Sequence, residues 1–206
     1  MIKKIGITQK MLTTKNGICF QLDKDWFDYF SKFNAILIPI GFDKFNDRKI
    51  EKLNLDGIIV SGGGNIFNLE KNIINFQRDN FEKKIISKFQ KKNKPILLVC
   101  RGFQLLANSY GSKIIKIDNH VKVMHKIFLL KKLFSEKKNN FITNSFHNYG
   151  FKKIGKKFEV LGMSKDGSIE FAKVKKFKTY CMMFHPERYN IDQSSIDKLI
   201  KKIFLI

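Results

Sequence analysis

Acidic residues are scarce in this chain: 18 Asp and Glu stand against 40 Lys and Arg in 206 residues, a formal charge of +22. That balance invites a nucleic-acid partner, because basic surfaces gain affinity by releasing counterions from phosphates. Arginine, however, is scarcer still, with only Arg48, Arg78, Arg101 and Arg188. The positive charge is nearly all lysine, accompanied by abundant Asn, Ile and Phe, as AT-rich codons would produce. The lysines are spread along the chain rather than gathered with aromatics into a stripe. No nucleic-acid partner is expected, and an anionic small substrate stays compatible with the charge.

Cysteine and proline number three each. Cys19, Cys100 and Cys181 are an odd set without CxxC spacing, which fits reduced thiols and gives no metal site. Sparse Pro and Ser leave no linker-like stretch, so a single domain over residues 1–206 is expected, long enough for one well-buried core. No apolar run is long enough to span a bilayer, so no membrane association is expected. The N-terminal "MIKKIGITQK" turns polar too early for a signal peptide, and a cytoplasmic location follows as the expectation. Internal repeats are also absent.

What is present is alternation. "KIGIT" reads as a strand, Leu22 to Phe33 carries aromatics at helical spacing, and "AILIPI" reads as a strand buried on both faces. "DGIIVSGGGN" is a strand ending in glycines, Arg78 to Lys92 a helix, and "PILLVC" another buried strand. Arg101 to Tyr110 then forms a helix stopped by Gly111. Alternating strands and helices of this length imply parallel βαβ units, an α/β sheet covered on both sides, with ligands at the carboxyl ends of its strands. From Lys113 to Thr179 the chain is more strand-like and looped. The last segment puts Ile196, Leu199, Ile200, Ile203 and Phe204 on one helical face, with Ser194 or Ser195 as its cap.

Cys100 lies where the buried strand "PILLVC" meets a helix. A sharp strand-to-helix turn lifts a side chain out of the core, and a helix N-terminus favours the thiolate. A buried structural thiol is the competing reading, and this stretch alone leaves both open. The base decides. "FHPE" supplies His185 and Glu187 at i and i+2, on one side of an extended chain. His185 can accept the thiol proton while Glu187 holds the imidazole in the correct tautomer. "SGGGN", Ser61 to Asn65, offers backbone donors at the same rim. The N–H groups of Gly63 and Arg101 are the candidate oxyanion donors. No GxxxxGK[ST] follows the glycines, so a phosphate loop is excluded.

Together, "SGGGN", "PILLVCRGFQLL", "NSFHNYGF" and "FHPE", in this order, resemble the class I glutamine amidotransferases, in particular the γ-glutamyl hydrolase branch with its Cys-Arg-Gly. The resemblance covers almost the whole chain. It implies a flavodoxin-like doubly wound, mostly parallel sheet with helices on both faces, and a Cys100–His185–Glu187 triad. It also implies attack on a γ-glutamyl amide through a thioester, without cofactor or metal. Gln104, Ser145, Phe146 and His147 would hold the glutamyl group. Arg78 and Glu82 match an "RDxFE" element that reads as a structural ion pair, and His120 and His125 read as structural. Leu98 stands where the family usually has glycine, and Phe184 where the branch usually has tryptophan. The N-terminal run with "SGGGN" is similar to a subgroup acting on γ-glutamyl-CDP-amidate. γ-Glutamyl-amine hydrolysis and a glutaminase serving a separate synthetase partner are the alternatives.

Overall fold

A computed structural model describes residues 1–42, 47–131 and 139–206. Along the first half run β1 (Lys3–Thr8), β2 (Lys10–Thr14), β3 (Gly17–Gln21), α1 (Asp25–Phe30) and β4 (Ala35–Ile40). These are followed by α2 (Asp47–Lys52), β5 (Gly57–Val60), α3 (Ile73–Lys91), β6 (Ile96–Val99) and α4 (Arg101–Ser109). The second half holds β7 (Ile115–Lys116), β8 (Val121–Leu129), β9 (Asn140–Phe146) and β10 (Tyr149–Gly150). It closes with β11 (Phe158–Ser164), β12 (Ile169–Val174), β13 (Thr179–Met182) and α5 (Gln193–Phe204).

Nine strands form the main sheet in the order β4-β1-β5-β6-β13-β12-β11-β8-β9. The first five are parallel, in the order of a flavodoxin-like sheet, and the remaining four are antiparallel. Unbroken apolar strands require cover on both faces, and two buried clusters supply it. On one face, Trp26, Phe30 and Phe33 around α1 join Ile196, Leu199 and Ile200 of α5 over Ile7, Ile59 and Leu97. On the other, Phe81, Ile85 and Phe89 of α3 and Phe103 of α4 cover Ile58, Val60, Ile96 and Leu98.

Several expectations need correction. "AILIPI" is the edge strand β4, paired only with β1, and Ile36 is half exposed, so it is not buried on both faces. Pro39 was the available signal, since proline without an N–H suits an edge. The helix of Leu22 to Phe33 is the shorter α1. Helix α3 begins five residues before Arg78, capped by Asn72, whose side chain accepts from the Asn75 N–H at 2.7 Å. Ile73 and Phe76 in that added turn are exposed, so the apolar period does not reveal it. Neither Ser194 nor Ser195 caps α5. Asp192 occupies the cap position and its carboxylate instead accepts from the Ile142 N–H at 2.8 Å. The chain from Lys10 to Gln21 forms the β2–β3 hairpin, turned at Lys15–Asn16.

The fold places the site by two close fits. Cys100 has φ 48° and ψ −99°, a conformation costly for a residue with a Cβ. Two backbone hydrogen bonds hold it there: its N–H donates to Met182 at 2.7 Å and its carbonyl accepts from Gln104 at 3.0 Å. The turn forms with Leu98 two residues earlier, in β6 between β5 and β13, its side chain buried in the cluster with Phe81 and Phe103. Next to it, a Cβ on Gly102 would come within 2.8 Å of the Val60 carbonyl oxygen, a backbone atom that has no room to yield. Replacing glycine with alanine inside a helix ordinarily gains about 0.5–1 kcal/mol. Here the clash outweighs that gain, and Gly102→Ala should destabilise the protein by roughly 1–3 kcal/mol. Urea unfolding measures this; unchanged or increased stability would contradict the close fit.

Candidate active site

The cleft at the carboxyl ends of β5, β6 and β13 has a volume of about 230 Å³. Cys100, His185, Gly63, Gln104, Phe146 and His147 are among the residues lining it. Three distant stretches of sequence therefore meet at one rim, as the sequence leads one to expect.

His185 is buried and sits at the centre of this arrangement. Its Nδ1 lies 2.7 Å from Glu187 Oε1, and its ring faces Cys100 across the cleft rim. Burial alone would lower the imidazole's pKa. The Glu187 carboxylate and the Cys100 contact override burial and raise it from 6.5 to about 10. His185 and Glu187 do face each other, but by a turn rather than an extended strand. Strand β13 ends at Met182, and the Arg188 N–H donates to the His185 carbonyl at 3.3 Å.

Asn144 clamps the histidine backbone. Its side-chain amide donates to the His185 carbonyl at 2.7 Å, and its oxygen accepts from the His185 N–H at 2.9 Å. Asn190 adds a donor to the same carbonyl at 3.1 Å. Sequence reasoning named neither. The signal was there for Asn144, which directly precedes the Ser145–Phe146–His147 segment.

The glycine loop is shaped by arginine. Arg78 donates to the carbonyls of Ser61, Gly62 and Gly63 at 3.0, 3.2 and 2.7 Å. Its Nε pairs with Glu82 at 2.9 Å, and Glu82 also receives Arg101 and the Thr8 hydroxyl. Arg101 extends to Asp79 and to the Asn65 carbonyl. The Arg78–Glu82 ion pair is therefore present and fully buried, and the Arg101 side chain belongs to it. A Cβ on Gly62 would fall 2.7 Å from the His185 ring, so that glycine lets the loop lie against the imidazole.

The four residues expected to hold substrate fare differently. Gln104 lines the cleft and donates to the Tyr149 carbonyl at 2.8 Å. Phe146 lines it too, edge-on to His185 at 5.9 Å, with the Arg188 guanidinium 4.5 Å from its ring. His147 is buried at the cleft wall. The Ser145 hydroxyl is not brought there: it is fully buried and donates to the His120 carbonyl at 2.7 Å. His120 and His125, read as structural, gather with His147 around Glu170.

The model for glutamine amidotransferase class-I matches residues 24–199, most of this chain. The chain belongs to the class I glutamine amidotransferase family. Among curated relatives it is 32% identical over 193 residues, 90% of each chain, to a γ-glutamyl-CDP-amidate hydrolase of Campylobacter jejuni. It is 28% identical over 182 residues, 74% of each chain, to the protein NtpR of Enterococcus hirae. A solved structure of a glutamine amidotransferase from Thermotoga maritima superposes with a TM-score of 0.67 at 13% identity. It covers 98% of this chain and 83% of that one, a likeness of fold. As in its family, this amidotransferase acts on γ-glutamyl amide bonds. No described helix is long and apolar enough to cross a membrane.

The raised His185 pKa has a consequence for stability. A group whose folded pKa lies above its unfolded value stabilises the fold fully below the unfolded pKa, and loses that contribution as pH rises through the folded one. The stability difference between wild type and Glu187→Gln should therefore be largest near pH 6.5 and shrink steadily toward pH 10. Urea unfolding of both proteins across this range measures it. A difference that grows with pH would contradict the His185–Glu187 coupling.

Proposed function

We propose that the protein hydrolyses γ-glutamyl-CDP-amidate with Cys100 as nucleophile, His185 as acid and base, and Glu187 as the partner that orients and charges the imidazole. The observation that carries this reading is the buried His185, its Nδ1 2.7 Å from Glu187 Oε1 and its ring beside Cys100, which stands at a strained turn that opens a helix. Cys100 sulfur attacks the γ-carbonyl carbon, the C–N bond breaks, and the His185 imidazolium protonates the departing nitrogen. Water then attacks the thioester with His185 taking its proton. Glutamate leaves and the thiol is restored.

The developing oxyanion needs donors, and the loop supplies a reason for their direction. Arg78 holds the Gly62 carbonyl, and across a planar trans peptide the Gly63 N–H points the opposite way, off Arg78. The Arg101 N–H is the first of the amides that an α-helix leaves free at its N-terminus. Each such donor contributes about 10²–10³ in rate. Gln104, Phe146 and His147, at the cleft wall, are the residues we assign to the glutamyl moiety. Ser145 can take part only through its backbone, its hydroxyl being committed to His120.

The choice of leaving group rests on the Campylobacter relative, which covers this chain nearly end to end, and on two cations beside the cleft. Arg188 lies over Phe146, and Lys10 packs against Gly63. Both are held by Asp23, Lys10 at 2.9 Å and Arg188 at 3.4 Å. A diphosphate entering there would meet two positive groups, with Asp23 shared between them and Glu187 Oε1 4.0 Å from the Arg188 Nε. Loss of the glutamyl group from such a substrate leaves cytidine diphosphoramidate, a donor for surface-polysaccharide modification.

Glutamate release from γ-glutamyl-CDP-amidate, a γ-glutamyl-amine and glutamine, each with wild type and Cys100→Ala, tests this. The CDP compound should show the highest kcat/KM, and Cys100→Ala should abolish release from all three. Equal or faster turnover of the simple amine would overturn the substrate assignment. Undiminished release by Cys100→Ala would overturn the mechanism.

A further inference from the structure

Glu170, in β12, is fully buried, and neither of its carboxylate oxygens makes a hydrogen bond among the described residues. Burying a carboxylate without partners is costly, so something must compensate it. Three imidazoles face it. His120 Nδ1 lies 3.2 Å from Oε1, while His125 Nε2 and His147 Nε2 lie 3.7 and 3.4 Å from Oε2. None of these three nitrogens makes a hydrogen bond either. The ring centres are 4.8 Å apart for His120 and His125 and 4.9 Å apart for His120 and His147.

The tautomers sharpen the problem. His147 Nδ1 lies 3.1 Å from the Tyr149 carbonyl, which can only accept, so Nδ1 carries the proton. The neutral ring then aims its Nε2 lone pair at the Glu170 carboxylate. His120 has Nε2 3.5 Å from Asp166 Oδ2, and a proton there likewise leaves the Nδ1 lone pair toward Glu170. Lone pairs converging on a carboxylate are tolerated in two ways: several imidazoliums crowded into one buried site, or a single cation among them. The second satisfies every group with no protonation at all.

The spacing fits that solution. Tetrahedral coordination at about 2.0–2.1 Å separates ligand atoms by roughly 3.4 Å, and the three nitrogens lie 3.2, 3.7 and 3.4 Å from the Glu170 oxygens. The donor atoms of His120, His125 and Glu170 all lie within 4.8 Å of one another. Metal-bound histidines commonly give their other N–H to a carbonyl or carboxylate, as His147 does to Tyr149 and His120 can to Asp166. Asp166 is itself fixed by the hydroxyls of Ser164 and Ser168 at 2.6 and 2.7 Å.

We propose that His120, His125, His147 and Glu170 form a site for a divalent metal ion, of the nitrogen-rich kind that suits Zn²⁺. Four protein ligands leave no open position, so the ion is structural. It ties β8, β9 and β12 together and braces His147 from behind, on the side away from the cleft. His125, the one partly exposed ligand, marks the way in. The site adjoins the cleft through His147 but shares no residue with Cys100, His185 and Glu187, and it does not depend on the leaving group assigned above.

The test uses the full chain, stripped with EDTA and titrated with Co²⁺ as a spectroscopic probe, followed by Zn²⁺ in competition. One Co²⁺ per chain should bind with the intense visible absorption of a tetrahedral ion, and one equivalent of Zn²⁺ should displace it. Zn²⁺ should also raise the Tm of the wild type. Cys100→Ala should keep the absorption, and His125→Ala should lose both it and the Zn²⁺ effect on Tm. Absence of tetrahedral absorption in the wild type would overturn the proposal without reference to any variant. So would binding that survives His125→Ala, or binding that disappears in Cys100→Ala and therefore belongs to the thiol.

Discussion

Glu82 holds the rim of the cleft in place. Its fully buried carboxylate accepts from Arg78, Arg101 and Thr8, which belong to three different elements of the fold. Arg78 then gathers the carbonyls of the glycine loop, and Arg101 locks the start of α4 to Asn65 and Asp79. Two arginines balance two carboxylates, which is what makes such burial tolerable. Breaking one partner of a buried pair strands a charge and typically costs about 3–5 kcal/mol. The network sits beneath the loop and the helix N-terminus, leaving amides rather than carbonyls available to the cleft.

This places the arginines in a different light from the lysines. A basic chain with four arginines has three of them, Arg78, Arg101 and Arg188, in the network or at the cleft. Arginine's planar fork can satisfy several carbonyls and carboxylates at fixed angles, which lysine cannot. The lysines cover the surface, where their charge acts as a diffuse field. Composition alone points to neither distribution; what separates them is which residue type is rare.

The parts of the site carried by short, locally determined turns were legible in the sequence. A thiol between an apolar strand and a helix, with glycine two residues on, has few alternative geometries, and the structure shows the strained turn it implies. His185 and Glu187 were found for a reason that proved incomplete, since a turn rather than a strand brings them together. What escaped was long-range. Asn144 reaches His185 across 41 residues of sequence, and no local pattern predicts an amide clamp on a backbone. In the same way, nothing along the chain groups His120, His125 and His147 with Glu170. They converge only because β8, β9 and β12 belong to the antiparallel half of the sheet, whose pairing the strand-like pattern did not reveal.

The central claim is that Cys100 is a nucleophile supplied with its own base, at a joint built for that purpose. A γ-glutamyl-mimicking electrophile such as 6-diazo-5-oxonorleucine, followed by intact-mass and peptide-mapping mass spectrometry, addresses it most directly. The account predicts a single adduct on Cys100, formed rapidly in the wild type and slowed strongly in His185→Asn, with Cys19 and Cys181 untouched. An adduct on Cys19, or labelling of Cys100 that does not depend on His185, would contradict it.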